Sequence, residues 1–119
     1  MMAGGISIHV MDVVKGCPAE GMQVEILALD NLSKQIAAGK LTAQGTLDHP
    51  IVQGTGITAG IYEAVFYIGD FYRQRGDAVP EPPFVDIVPF RFGVSDAAQH
   101  YHLPMKVSPW GLSLFRGGA

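Results

Sequence analysis

Short runs rich in Ile, Val, Phe and Tyr recur along this sequence, and a Gly, Pro, Asp or Asn cluster cuts off each one before it reaches helical length. That punctuation argues against a helical bundle and fits an all-β sandwich or barrel. Strands are predicted at about 6–12, 22–30, 34–41, 60–68, 85–95, 99–107 and 110–115. "DVVKGCPAEGM" reads as a long turn between the first two, and "LDNLSK" as a hairpin connection. The segment 69–75 is the one predicted helix, capped by Asp70 and ended by Gly76. "VPEPPF" behind it is expected to be extended, because proline restricts itself and the residue before it. With no repeat, low-complexity tract or linker, residues 1–119 are expected to form a single domain.

Composition excludes several classes of function. Hydrophobic residues make up 48% of the chain, enough to fill a core. A net charge of −3 gives no basic surface for nucleic acid and no polybasic membrane patch. No apolar run approaches the ~20 residues of a membrane span. "MMAGG" lacks the pattern of a secretory signal, and "FRGGA" is not a receptor-read address. Cys17, the single cysteine, cannot form an internal disulfide. A reducing, cytoplasmic setting is therefore expected. Cys17 lies in a turn-like stretch, so a reactive-thiol role is the minor reading.

The histidines carry the chemical interest. Strand side chains alternate between faces. In "GISIHVMD", Ile6, Ile8 and Val10 share a core face, and Ser7, His9 and Met11 share the other. In "HYHLPMKV", Tyr101, Leu103, Met105 and Val107 read as core, and His100, His102, Pro104 and Lys106 point away. Pro104 suggests an edge or bulged strand. Any one such histidine is ordinarily a solvated ring, but three on outer faces point to a site. A metal ion is the competing use of His100 and His102, yet no Cys, Asp or Glu nearby in sequence completes a tetrahedral set. No metal and no cofactor are expected. His49, in "LDHPIV", reads as a turn residue.

"QHYHLPMKVSPWGLSLFRGG" resembles the C-terminal signature of the 5-hydroxyisourate hydrolases, the transthyretin-related enzymes of urate breakdown. That family reads His-Tyr-His-Val-Pro-Leu, then Ser-Pro, then a terminal Tyr-Arg-Gly-Ser. "SIHVMD" resembles the family's Ser-Thr-His-Val-Leu-Asp, and "AGIYEAVFYIGDFYRQRG" and "PPFVDIVPFRFGVSD" resemble its central blocks. The resemblance implies a transthyretin-like β-sandwich of two four-stranded sheets with one short helix. It also implies a homotetramer, a dimer of dimers, whose small-molecule sites lie in the channel between dimers.

By the same resemblance His9 and His102 are the catalytic histidines. Arg116, Gly117, Gly118, Phe115 and Thr46 are the substrate-binding positions. Three of these depart from the family pattern. Thr46, in "AQGTLD", replaces a catalytic and substrate-binding arginine. Phe115 replaces the terminal Tyr, and Gly118 replaces the terminal Ser, with Ala119 extending the chain by one residue.

The family reaction opens a cyclic amide. Water attacks a ring carbonyl and the C–N bond breaks. Histidine suits the two proton transfers because its unperturbed pKa is ~6.5. Arginine suits the developing oxyanion because it offers a fixed fork of donors. Three expectations stand side by side: hydrolysis of 5-hydroxyisourate, hydrolysis of another cyclic amide such as a modified purine product, and non-catalytic ligand binding. Retention of His9 and His102 favours the hydrolases, since a binder has no need of a general base.

Overall fold

The computed structural model describes residues 4–30 and 32–118. The chain forms two four-stranded sheets packed face to face, with one short helix at an end. The first sheet holds β1 (Ile6–Asp12), β2 (Cys17–Pro18), β7 (Tyr101–Ser108) and β8 (Gly111–Leu114) in the order β2-β1-β7-β8. The second holds β3 (Gln23–Ala28), β4 (Lys34–Lys40), β5 (Gly60–Tyr67) and β6 (Ile87–Val94) in the order β4-β3-β5-β6. A 3-10 turn covers Pro50–Gln53, and α1 covers Ile68–Arg75.

Alternation decides which faces meet. Ile6, Ile8 and Val10 of β1 and Tyr101, Leu103, Met105 and Val107 of β7 are all buried, as their spacing predicts. They pack against Val24, Ile26, Tyr62, Ala64 and Phe66 from the facing sheet. β1 and β7 run parallel in an unbroken register from Ile6↔Tyr101 to Asp12↔Val107, while every other strand pair is antiparallel.

Three local expectations are corrected. "DVVKGCPAEGM" contains β2, whose Cys17 and Pro18 pair with Asp12 and Met11. Two residues are too few to show periodicity. Asp70 does not cap α1: the cap is Tyr67, which makes no side-chain cap bond. The Asp86 carbonyl accepts from the N–H of Ile68 (3.0 Å) and of Gly69 (3.1 Å), so two orphan donors are already satisfied. Asp70 instead pairs with Arg73 at 2.6 Å. At the other end Gly76 closes the helix in the left-handed region, φ 88°, as expected.

Pro104 lies on an interior strand, not an edge. The β7–β8 ladder begins only at Met105↔Leu114, so Pro104 stands where β8 has not yet paired. The "LDNLSK" connection does join the antiparallel pair β3 and β4, although its Asn31 lies outside the described residues.

Candidate active site

The outer face of the β2-β1-β7-β8 sheet collects the polar residues singled out above. The β1–β7 register sets Ser7 opposite His102, and His9 opposite Pro104. His9 and His102 are therefore diagonal neighbours on one face, roughly 7 Å apart at Cβ on ordinary sheet spacing. Both rings are half-buried. Thr46 is held beside β1: it bridges His9, and the flanking backbone bonds Val10 N–H to Gly45 O at 2.9 Å. Its hydroxyl lies 2.9 Å from that of Thr42, inside its own turn.

The C-terminal residues flank the other side. Gly117 N–H donates to His102 O at 2.8 Å. Only glycine fits at that position, because a Cβ would lie 2.9 Å from Pro104 Cγ and 3.2 Å from His102 Cδ2. Across the sheet the row thus reads Thr46, then His9 and Ser7, then His102, then Gly117. Arg116 lies at the His100 end. Its Nη2 donates to Gln99 Oε1 (3.0 Å) and His100 O (3.2 Å), and its guanidinium carbon stands 4.1 Å from the Tyr101 ring centroid. Phe115 and Gly118 are exposed.

His100 lies with Ser7 and His102 on the outer face, but it is buried there rather than solvated. It precedes β7, is only 8% exposed, and bonds Gly4 O through Nδ1 at 2.9 Å. It is also joined to His102. Ser7 Oγ lies 2.8 Å from His100 Nε2 and 2.6 Å from His102 Nδ1. Sequence reasoning placed Ser7 on the right face and gave it no role, because the cross-strand register that seats it between two histidines is set by residues more than ninety positions apart.

The surroundings shift the proton affinity of His102. Burial, and after it the closeness of the His100 and His9 rings, hold its pKa below the usual 6.5. A histidine that gives up its proton more readily than usual is available as a base near neutral pH.

Three of the four arginines are held by carboxylates. Arg73 is bound to Asp70 and Glu81, Arg75 to Asp12 and Asp77, and Arg91 to Glu63. Among the described residues, Arg116 is the arginine without a carboxylate partner. No group of three or more His, Cys, Asp or Glu among them is arranged to hold a metal ion. His49 caps the 3-10 turn, its Nδ1 accepting from Ile51 N–H at 3.0 Å.

The sequence profile of the HIUase/transthyretin family matches residues 6–117. The chain belongs to that family. A 5-hydroxyisourate hydrolase of Pseudomonas aeruginosa is 40% identical over 115 residues, which is 96% of this chain and 91% of that protein. The crystal structure of (S)-allantoin synthase superposes with a TM-score of 0.89 at 33% identity, covering 98% of this chain. This chain spans only 44% of that one. Sea bream transthyretin, solved with thyroxine, has a TM-score of 0.82 at 23% identity, with 96% and 95% of the two chains covered, and shares the fold. The matched span includes His9, His100, His102, Arg116 and Gly117.

Proposed function

We propose that this protein hydrolyses 5-hydroxyisourate. The observation that carries the reading is His102: a histidine whose pKa burial lowers, diagonal to His9, on a chain 40% identical to a 5-hydroxyisourate hydrolase. In this mechanism His102 Nε2 takes a proton as water bonds to the ring carbonyl. The same proton passes to the ring nitrogen as the C–N bond breaks. His9 faces the same small volume. Arg116, swung from the Tyr101 ring, supplies the donors for the developing oxyanion. Thr46, Phe115, Gly117 and Gly118 line the substrate side. The test follows decay of freshly generated 5-hydroxyisourate by ultraviolet absorbance. Turnover above the spontaneous rate is expected, and none would remove this substrate.

Thr46 bears on the rate. One well-placed oxyanion donor is worth about a hundred- to a thousandfold. Thr46 bridges the His9 backbone, so an arginine at this position would start next to the histidines. Thr46→Arg is expected to raise turnover about a hundredfold. No gain would mean that the pocket is built for a different, less polar ring. The exposed phenyl of Phe115, in place of a phenol, favours that second reading.

The site also calls for assembly. The histidines lie on an open sheet face. A cleft of about 420 Å³ within the protomer lies elsewhere, lined by Lys15, Cys17, Phe71 and Arg75, and its arginine is already tied to Asp12 and Asp77. Large apolar side chains stay exposed around β8: Trp110 at 62%, Phe115 at 57% and Leu112 at 39%. A homotetramer, a dimer of dimers acting in the cytoplasm, would cover such surface and enclose the histidines. Light scattering at micromolar concentration should give four protomers, and a stable monomer would remove the shared cleft.

A further inference from the structure

The bonds around Ser7 have a direction that the chemistry of the groups decides. Gly4 O is a carbonyl and can only accept, so His100 Nδ1 carries a hydrogen. No described carboxylate forms an ion pair with His100, and Arg116 bonds its carbonyl. A charged His100 ring would be buried beside that cation without a counter-charge, so the neutral form is the one the site accommodates. In the neutral ring Nε2 carries no hydrogen and must accept. Ser7 Oγ therefore donates its single hydrogen to His100 Nε2. The bond at 2.6 Å between Ser7 Oγ and His102 Nδ1 must then run the other way, with Nδ1–H as donor.

We infer that Ser7 and His100 form a positioning chain that fixes the tautomer of His102, holding its hydrogen on Nδ1 and leaving Nε2 as the free base. The order is His102 Nδ1–H to Ser7 Oγ, Ser7 Oγ–H to His100 Nε2, and His100 Nδ1–H to Gly4 O. The logic is that of a histidine oriented through its second nitrogen, with a serine and a buried histidine in place of a carboxylate. The Nδ1 hydrogen stays in place throughout hydrolysis. Only the proton taken from water comes and goes at Nε2. This rests on His102 being the general base. Ser7 touches no reacting atom, so it is a positioning residue.

The test reads the tautomer directly and needs no substrate. In the full-length, 15N-labelled protein at neutral pH, ring-nitrogen chemical shifts should show His102 as Nδ1–H with a bare Nε2. Ser7→Ala should turn it to the Nε2–H form that a free imidazole prefers, with the backbone spectrum otherwise preserved. Ser7→Thr, which keeps the hydroxyl, should restore Nδ1–H. His100→Phe gives the sharpest outcome. It leaves Ser7 in place but removes its acceptor, so the hydroxyl hydrogen turns to His102 Nδ1 and forces Nε2–H. A merely structural serine predicts no such reversal.

On 5-hydroxyisourate, Ser7→Ala should lower kcat about ten- to hundredfold, as removal of an orienting partner does, with KM little changed. Wild-type His102 in the Nε2–H form, or a tautomer that ignores Ser7→Ala and His100→Phe, would overturn the inference. If the tautomers behave as stated but 5-hydroxyisourate is not turned over, the chain stands and the substrate is wrong.

Discussion

His102→Ala should reduce hydrolysis of 5-hydroxyisourate to near the spontaneous rate. Positioned general acid–base catalysis contributes ~10²–10⁴-fold, and no other histidine of this chain has the same setting. His9 has no Ser7-type partner among the described hydrogen bonds, and His100 has both nitrogens engaged. The pH profile should report the same group. The base must be unprotonated, so activity rises with pH as His102 loses its proton. Burial, and after it the nearby His100 and His9 rings, place that step below 6.5, so the acid limb should lie on the acidic side of an ordinary histidine. A His102→Ala variant with wild-type kcat would take His102 out of the role.

Residues differ in how much of this was legible beforehand, and the difference follows range of interaction. Alternation along Ile6–Asp12 and Tyr101–Ser108 fixes which side chains enter the core, because it is a property of the single strand. It therefore put Ser7, His9 and His102 on the outer face. It could not say that these two strands are neighbours, run parallel, and set Ser7 against His102. The same limit explains the helix cap. Asp70 is a good local choice, but the Asp86 carbonyl, sixteen residues on, satisfies the donors first. Thr46, Arg116 and Gly117 entered through family resemblance alone. The structure adds that Thr46 bridges His9 and Gly117 bridges His102, and that Gly117 has no room for a Cβ. Nothing local marked Asp12, the last residue of a strand, as the centre of a buried network.

Asp12→Asn should cost about 3–5 kcal/mol of stability, the range for breaking a buried ion pair from one side. The Asp12 side chain is fully buried. Its two oxygens accept from Val14 N–H (3.1 Å), Lys15 N–H (3.0 Å), Tyr72 Oη (2.7 Å) and Arg75 Nη1 (2.7 Å). Tyr72 and Arg75 belong to α1, so this carboxylate pins the helix to the end of β1. An asparagine amide would turn its N–H groups either toward Arg75 and Lys15 N–H or toward Val14 N–H, which can only donate, and would leave the guanidinium half-paired with Asp77. For a domain of this size the loss corresponds to a fall in Tm of about 10–20 °C.

The sign of the pH dependence follows from the carboxyl itself. Burial opposes its ionisation, but the bonds from Arg75, Tyr72 and the two backbone N–H groups outweigh burial and hold its pKa below the ordinary 3.8. Below that value the unfolded chain binds a proton that the folded chain refuses, so stability falls as the solution is acidified. The contribution is complete above 3.8 and is lost on the way down through the folded pKa. The gap between wild type and Asp12→Asn should therefore be constant from pH 5 to 8 and narrow below about pH 4. Arg75→Met added to Asp12→Asn should recover part of the loss, because it removes the stranded charge. Folded Asp12→Asn should keep its hydrolytic rate, since Asp12 lies five residues beyond Ser7, roughly 17 Å along the strand. Thermal melts across this pH range decide the point, and an Asp12→Asn variant melting within a few degrees of wild type would show that other contacts hold the helix.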